Sequence, residues 1–103
     1  MATVVLIQRH VIAKDTEEVI DLLRQLRGKA LHQPGYLTGE TLFSPDKAGS
    51  HLVISRWRSR SDWRDWEASE ERKQLEKKMA ALRVSPAVVS VYVDAPSMIP
   101  EDT

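Results

Sequence analysis

Three of the four strand-like segments in this chain carry apolar residues at successive positions. They are Val4-Val5-Leu6-Ile7, Leu52-Val53-Ile54, and Val88-Val89 followed by Val91 and Val93. A strand sends successive side chains to opposite faces, so each segment needs cover on both sides. An antiparallel sheet with one solvated face would alternate apolar with polar residues instead. A chain of 103 residues fits one domain and buries a limited core. The C-terminal stretch, with Pro96, Pro100 and Glu101-Asp102-Thr103, is too polar to cover a sheet. The expected cover is the same sheet from a second copy, making a homodimer through sheet faces.

The segments between the strands set the topology. Thr3 to Ile12 reads as the first strand. Asp15 followed by Glu18 resembles a capping box, with Asp15 or Thr16 able to accept the first free N–H groups. Val19, Ile20, Leu22, Leu23, Leu26 and Ala30 then recur at helical spacing. Pro34-Gly35 ends that helix. Tyr36 to Phe43 and His51 to Trp57 read as a hairpin around the turn-rich stretch from Ser44 to Gly49. Ser61 or Asp62 is expected to cap a short helix bearing Trp63 and Trp66. Ser69 caps or kinks the next stretch, whose buried stripe is Leu75, Met79 and Leu82. Pro86 breaks the helical pattern, and Ala87 to Val93 is the fourth strand. The order βαββαβ, with right-handed crossovers, lays both helices on one face of a four-stranded antiparallel sheet. The expectation is a ferredoxin-like α+β domain over residues 1–94 and a flexible tail over 95–103.

Charge and cysteine content exclude several functions. Fifteen basic residues balance 15 acidic ones, so neither field steering nor counterion release favours nucleic acid or an anionic membrane. The chain has no cysteine, which rules out disulfides, thiolate metal sites and thiol nucleophiles and suits a reducing cytoplasm. The N-terminal apolar run has no preceding charge and is broken by Gln8, Arg9 and His10. It therefore reads as neither a signal peptide nor a membrane span.

Candidate functional residues are few. Gln8 and His10 share a face of the first strand, where polar side chains either line a cavity or satisfy buried hydrogen bonds. Trp57 and Trp63 are expected in the core, whereas Trp66 either packs there or walls a pocket for a flat aromatic ligand. His51, beside the turn, is expected to be solvated. His32 follows the first helix, where a cation near the dipole's negative end is ordinary. No two histidines have metal-ligand spacing. Arg56, Arg58, Arg60 and Arg64 alternate with Trp57 and Trp63 like a single-stranded nucleic-acid patch. The interleaved Asp62, Asp65 and Glu67 predict local ion pairing instead. Tyr36 and Tyr92 can exchange a proton with a phenol, although strand tyrosines more often sit at a rim.

Several of these residues fall into a familiar arrangement. Pro34-Gly35-Tyr36 enters the second strand, Trp57-Arg58-Ser59 ends the third, and Trp63-x-x-Trp66-x-x-Ser69 begins the helix that follows. This resembles the antibiotic biosynthesis monooxygenase domain family over roughly residues 3 to 93. The resemblance implies a dimeric α+β barrel, two ferredoxin-like sheets packed face to face. Some members are cofactor-independent monooxygenases of quinols or polyketide phenols, in which the substrate carbanion itself activates oxygen. Others bind and degrade haem. Trp66 matches the pocket tryptophan of the haem degraders. Their first-strand asparagine falls at about Gln8 and their axial histidine at about Glu76, a poor replacement for imidazole on haem iron.

The functional expectation is a cofactor-independent, metal-free monooxygenase of a small quinol-like or other electron-rich aromatic. His10 is its proton acceptor, Gln8 its polariser, Trp66 its stacking wall, and Tyr36 and Arg9 further substrate contacts. The alternatives are a haem-binding or haem-degrading protein and a non-catalytic dimeric module for a small molecule. Register decides between faces: a shift of one residue exchanges Gln8 and His10 for Ile7 and Arg9.

Overall fold

The computed structural model describes residues 2–94, so the tail expected over 95–103 lies outside the described residues. Strand β1 (Thr3–His10) leads through a 3₁₀ turn (Ala13–Asp15) into helix α1 (Thr16–Ala30). The hairpin β2 (Tyr36–Phe43) and β3 (Ser50–Trp57) follows. Two short helices, α2 (Arg60–Glu67) and α3 (Glu70–Ala80), then lead to β4 (Val88–Val93). All neighbouring strands are antiparallel, in the order β2-β3-β1-β4. This is the ferredoxin-like α+β architecture expected, with the second helical region split in two.

The split is visible in the caps. Ser59, rather than Ser61 or Asp62, caps α2: its Oγ accepts from the Asp62 backbone N–H at 3.1 Å. Ser69 accepts from the Arg72 N–H at 3.2 Å and starts α3, while donating back to the Trp66 carbonyl at 2.8 Å. One serine thus closes one helix and opens the next. At the start of α1 neither expected cap operates. Asp15 makes no side-chain cap bond, and Thr16 Oγ1 donates to the Ala13 carbonyl inside the 3₁₀ turn.

Alternation along β1 divides the sheet. Thr3, Val5, Ile7 and Arg9 point to the helices and are buried. Their register partners on β3 are Trp57, Ser55, Val53 and His51. Val5, Ile7, Val11 and Trp57 join Val19, Leu22, Leu26, Trp63, Trp66, Leu75 and Met79 in one core. Val4, Leu6, Gln8 and His10 face the other way. Strand β4, at the sheet edge, stays uncovered: Val88, Val89, Val91, Tyr92 and Val93 are 38–58% exposed, on both of its faces.

Gly35 anchors the hairpin to α2. Its φ of +81° lies in the left-handed region, and the Asp62 carboxylate occupies the space a side chain would need. Gly28, in the exposed interior of α1, faces open space: a methyl group added there would meet nothing within 4 Å. Gly35→Ala is expected to cost about 2 kcal/mol or more. Gly28→Ala is expected to add about 0.5–1 kcal/mol, since alanine is the better helix former. Urea unfolding of both variants checks the pair, and a destabilised Gly28→Ala would contradict the open surroundings of that site.

Candidate active site

The helix-facing side of the sheet does not close fully against α1, α2 and α3. A hollow, open to solvent at its mouth, remains between them. Its walls are aromatic and aliphatic. Tyr36 meets Trp57 edge-on at a centroid distance of 5.2 Å, and Trp57 meets Trp63 edge-on at 5.8 Å. Trp66, buried on α2, completes the aromatic wall, with Leu23 and Leu26 of α1 also lining the hollow. Trp57 Nε1 is satisfied by Ser55 Oγ at 3.0 Å, so its indole is locked in place. Trp57 and Trp63 are therefore core residues, as expected, and cavity wall at once.

Charged residues are sparse but placed at the two ends. Exposed Arg27 stands at the outer end near Tyr36, whose hydroxyl fills the space left by the missing side chain of Gly39. Burial raises the Tyr36 hydroxyl above the usual tyrosine range, with Arg27 opposing, so the phenol is a proton donor at neutral pH. At the inner end Arg9, with a side chain 2% exposed, is ion-paired to Glu76. Arg72 approaches the same Glu76 oxygen at 3.6 Å and lies 5.3 Å from the Trp63 ring centroid. Burial lowers the Arg9 guanidinium from its usual range and Glu76 opposes this; an arginine remains charged regardless.

The expected site residues are divided by the sheet. Arg9, Tyr36 and Trp66 all line the cavity, with Ile7 beside them. Gln8 and His10 stand on the outer face, because adjacent strand positions point in opposite directions. Gln8 is exposed, and the His10 Nδ1 is buried without a hydrogen-bond partner among the described residues. Thus Ile7 and Arg9 occupy the face assigned from sequence to Gln8 and His10. His51 is a correction: it is 2% exposed rather than solvated. It packs against Phe43 at 5.4 Å, with Nε2 3.4 Å from Arg9 Nη1. The local pairing expected around the arginine run does not form either. Among the described residues Arg56 pairs with Asp94 at 3.3 Å, and Arg58, Arg60 and Arg64 have no carboxylate within 4 Å.

Arg72 and Glu76 are the site residues that sequence reasoning did not assemble. The available signal was their i,i+4 spacing beside the stripe of Leu75 and Met79. Glu76 also bears on haem. Its carboxylate is held between two guanidiniums, and neither His51 nor His10 lines the cavity. A haem pocket needs an axial donor free to reach iron, so the residues present do not fit haem.

A four-stranded antiparallel sheet with three helices on one face defines a ferredoxin-like α+β domain, and solved structures share that fold. A conserved protein from Methanosarcina mazei Go1 superposes with a TM-score of 0.86 at 13% identity, over 92% of this chain and 94% of that one. An antibiotic biosynthesis monooxygenase gives 0.82 at 21% identity, over 93% and 100%. SnoaB, a cofactor-independent oxygenase from Streptomyces nogalater, gives 0.76 at 19% identity, over 97% of each chain. No curated protein matches the sequence. The profile of the antibiotic biosynthesis monooxygenase family matches residues 2–78, and the chain belongs to that family. Among the described residues no helix is long and apolar enough to cross a membrane.

His51 supplies a pH dependence. Burial, then the charges of Arg9 and His10, push its pKa down to about 4. Between pH 6.5 and 4 the unfolded chain takes up this proton and the folded one does not, so stability falls as pH falls. The loss is about 2 kcal/mol at pH 5 relative to pH 7. Urea midpoints at the two pH values should show it, and His51→Gln should remove most of the difference. An unchanged difference in that variant would assign the effect to other groups.

Proposed function

We propose that this protein is a cofactor-independent monooxygenase of a small electron-rich aromatic, acting as a cytoplasmic homodimer. The observation that carries the reading is a hollow with aromatic walls, a neutral tyrosine hydroxyl at one end and a buried guanidinium at the other. Family membership and a cofactor-independent oxygenase among the structural neighbours support it.

In this reading the substrate ring stacks on Trp66 and is bounded by Tyr36 and Trp57. Tyr36 and Arg27 stabilise the phenolate oxygen, which lowers the phenol's pKa and makes the ring a better electron donor. The ring carbon para to that oxygen gives its electrons to O₂ and a C–O bond forms. The resulting hydroperoxide loses water, leaving a quinone. Phenol plus O₂ thus gives quinone plus water, with all four electrons supplied by the substrate. The cavity's contribution is orientation of the ring. Gln8 and His10 have no route to this space within one protomer; a role for them would run through the opposite face, between two sheets.

The dimer reading is supported by that same face. Val4, Leu6, Leu52 and Ile54 are only half-buried there, and β4 is uncovered on both sides. An apolar edge and face of this kind call for a partner. Sedimentation velocity at micromolar concentration is expected to show twice the chain mass, and a monomer would sink the face-to-face arrangement.

Oxygen uptake with naphthalene hydroquinones and naphthols tests the chemistry. Trp66→Ala is expected to lower kcat/KM by about 10-fold or more, and Tyr36→Phe to lower kcat by about 10-fold. His10→Ala and Gln8→Ala are expected to stay within about twofold of the parent. A loss in His10→Ala matching that of Trp66→Ala would return the proton acceptor to the outer face. No catalysed uptake with any such substrate would remove the oxygenase reading.

A further inference from the structure

The inner end of the cavity holds more positive charge than its own carboxylate balances. Arg9 and Arg72 line it with Glu76, Arg83 outside the lining also bears on Arg9, and Glu76 is the single acid facing Arg9 among them. Both Arg9 and Arg72 are directed at the same Glu76 oxygen, Oε1. His51, the remaining neighbour, is neutral at physiological pH. Arg9 Nε is buried and has no hydrogen-bond partner among the described residues. The side chain that carries it is 2% exposed and lines the cavity. A buried donor left unpaired is costly, more so when charged, and an excess of buried charge adds to that cost.

We propose that this end of the cavity is an anchoring subsite for a carboxylate carried on the substrate's aromatic ring. The ligand class is an aromatic acid, held by Arg9 and Arg72. The inference rests on the reading of the cavity as the substrate site and deepens it by naming the substrate's second functional group. A guanidinium presents N–H donors in a plane that matches a carboxylate. Arg72 already lies against the Trp63 ring, so the charged group and the flat slot for a ring are contiguous. With the carboxylate fixed at Arg9, the ring hydroxyl is directed towards Tyr36 and Arg27, which hold the phenolate oxygen. Glu76 is the positioning residue: by pairing with both arginines it holds their guanidiniums at the cavity wall, and it leaves net positive charge for the ligand. A neutral quinol would leave the excess positive charge of Arg9 and Arg72 unbalanced, whereas an aromatic acid neutralises it.

Calorimetric titration of the full chain with 2-naphthoate and 2-naphthamide tests this. The two probes share ring and shape and differ in charge. 2-Naphthoate is expected to bind at least about 10-fold more tightly. Arg72→Gln, a change at a partly exposed side chain, is expected to shrink the preference to about threefold or less, and Arg9→Gln to abolish it. Circular dichroism confirms that each variant is folded. If Arg9→Gln does not fold, Arg72→Gln decides. Equal affinity for the two probes, a preference untouched in the folded variants, or binding of neither at about 5 mM overturns the proposal. Neither probe has a ring hydroxyl to oxidise. A carboxylate preference without quinol-dependent oxygen uptake would therefore uphold the subsite and remove the oxygenase reading. Uptake without the preference would do the reverse.

Discussion

Strand β1 lies at the centre of the sheet, between β3 and β4, and its alternation governs both sides of the protein. Its odd-numbered side chains, from Thr3 to Arg9, go under the helices. The first three meet Trp57, Ser55 and Val53 there and build the core. The fourth is an arginine. A guanidinium at that depth is tolerable only with a partner, and α3 supplies one in Glu76. This long-range pair ties the central strand to α3 and keeps that end of the sheet–helix gap from being filled by packing alone. The cavity is what remains between this polar floor and the tryptophan wall.

The same alternation explains why two neighbouring polar residues have different fates. Arg9 is inside with an ion pair, while Gln8 and His10 are on the outer face. Nothing in their chemistry distinguishes them as site residues. A shift of one position would exchange their roles, and the register is held by the antiparallel pairing of Thr3 with Trp57 through His10 with Ser50. That pairing is in turn set by burial of Val5, Ile7 and Trp57 on one face. The site is thus downstream of core packing.

Electrostatics and aromatic packing meet along a single line. Trp57 meets Tyr36 on one side and Trp63 on the other, both edge-on, and Arg72 caps the line over Trp63. Edge-to-face contacts hold the rings apart at defined angles, which preserves flat space between them where stacked rings would fill it. The two helices bearing Trp63, Trp66, Arg72 and Glu76 are set by Ser59 and Ser69, whose hydroxyls cap successive helix starts. Two serine caps therefore position four cavity residues.

Much of this was readable from the chain alone. Apolar runs, helical spacing and the Pro34-Gly35 and Pro86 breaks were enough for βαββαβ, because strand and helix periodicities are local. Runs such as Val4 to Ile7 also announced two faces in need of cover. The short motifs around Trp57, Trp63 and Ser69 pointed to the family. What tertiary structure alone decided is which face of β1 meets the helices, and so that Arg9, not Gln8 or His10, lines the hollow beneath them. It also decided that His51 is buried and that Arg9, Arg72 and Glu76 converge from positions up to 67 residues apart. Local sequence carries no information on such convergence, since it depends on how three helices settle on one side of a sheet whose strands, read singly, are apolar on both.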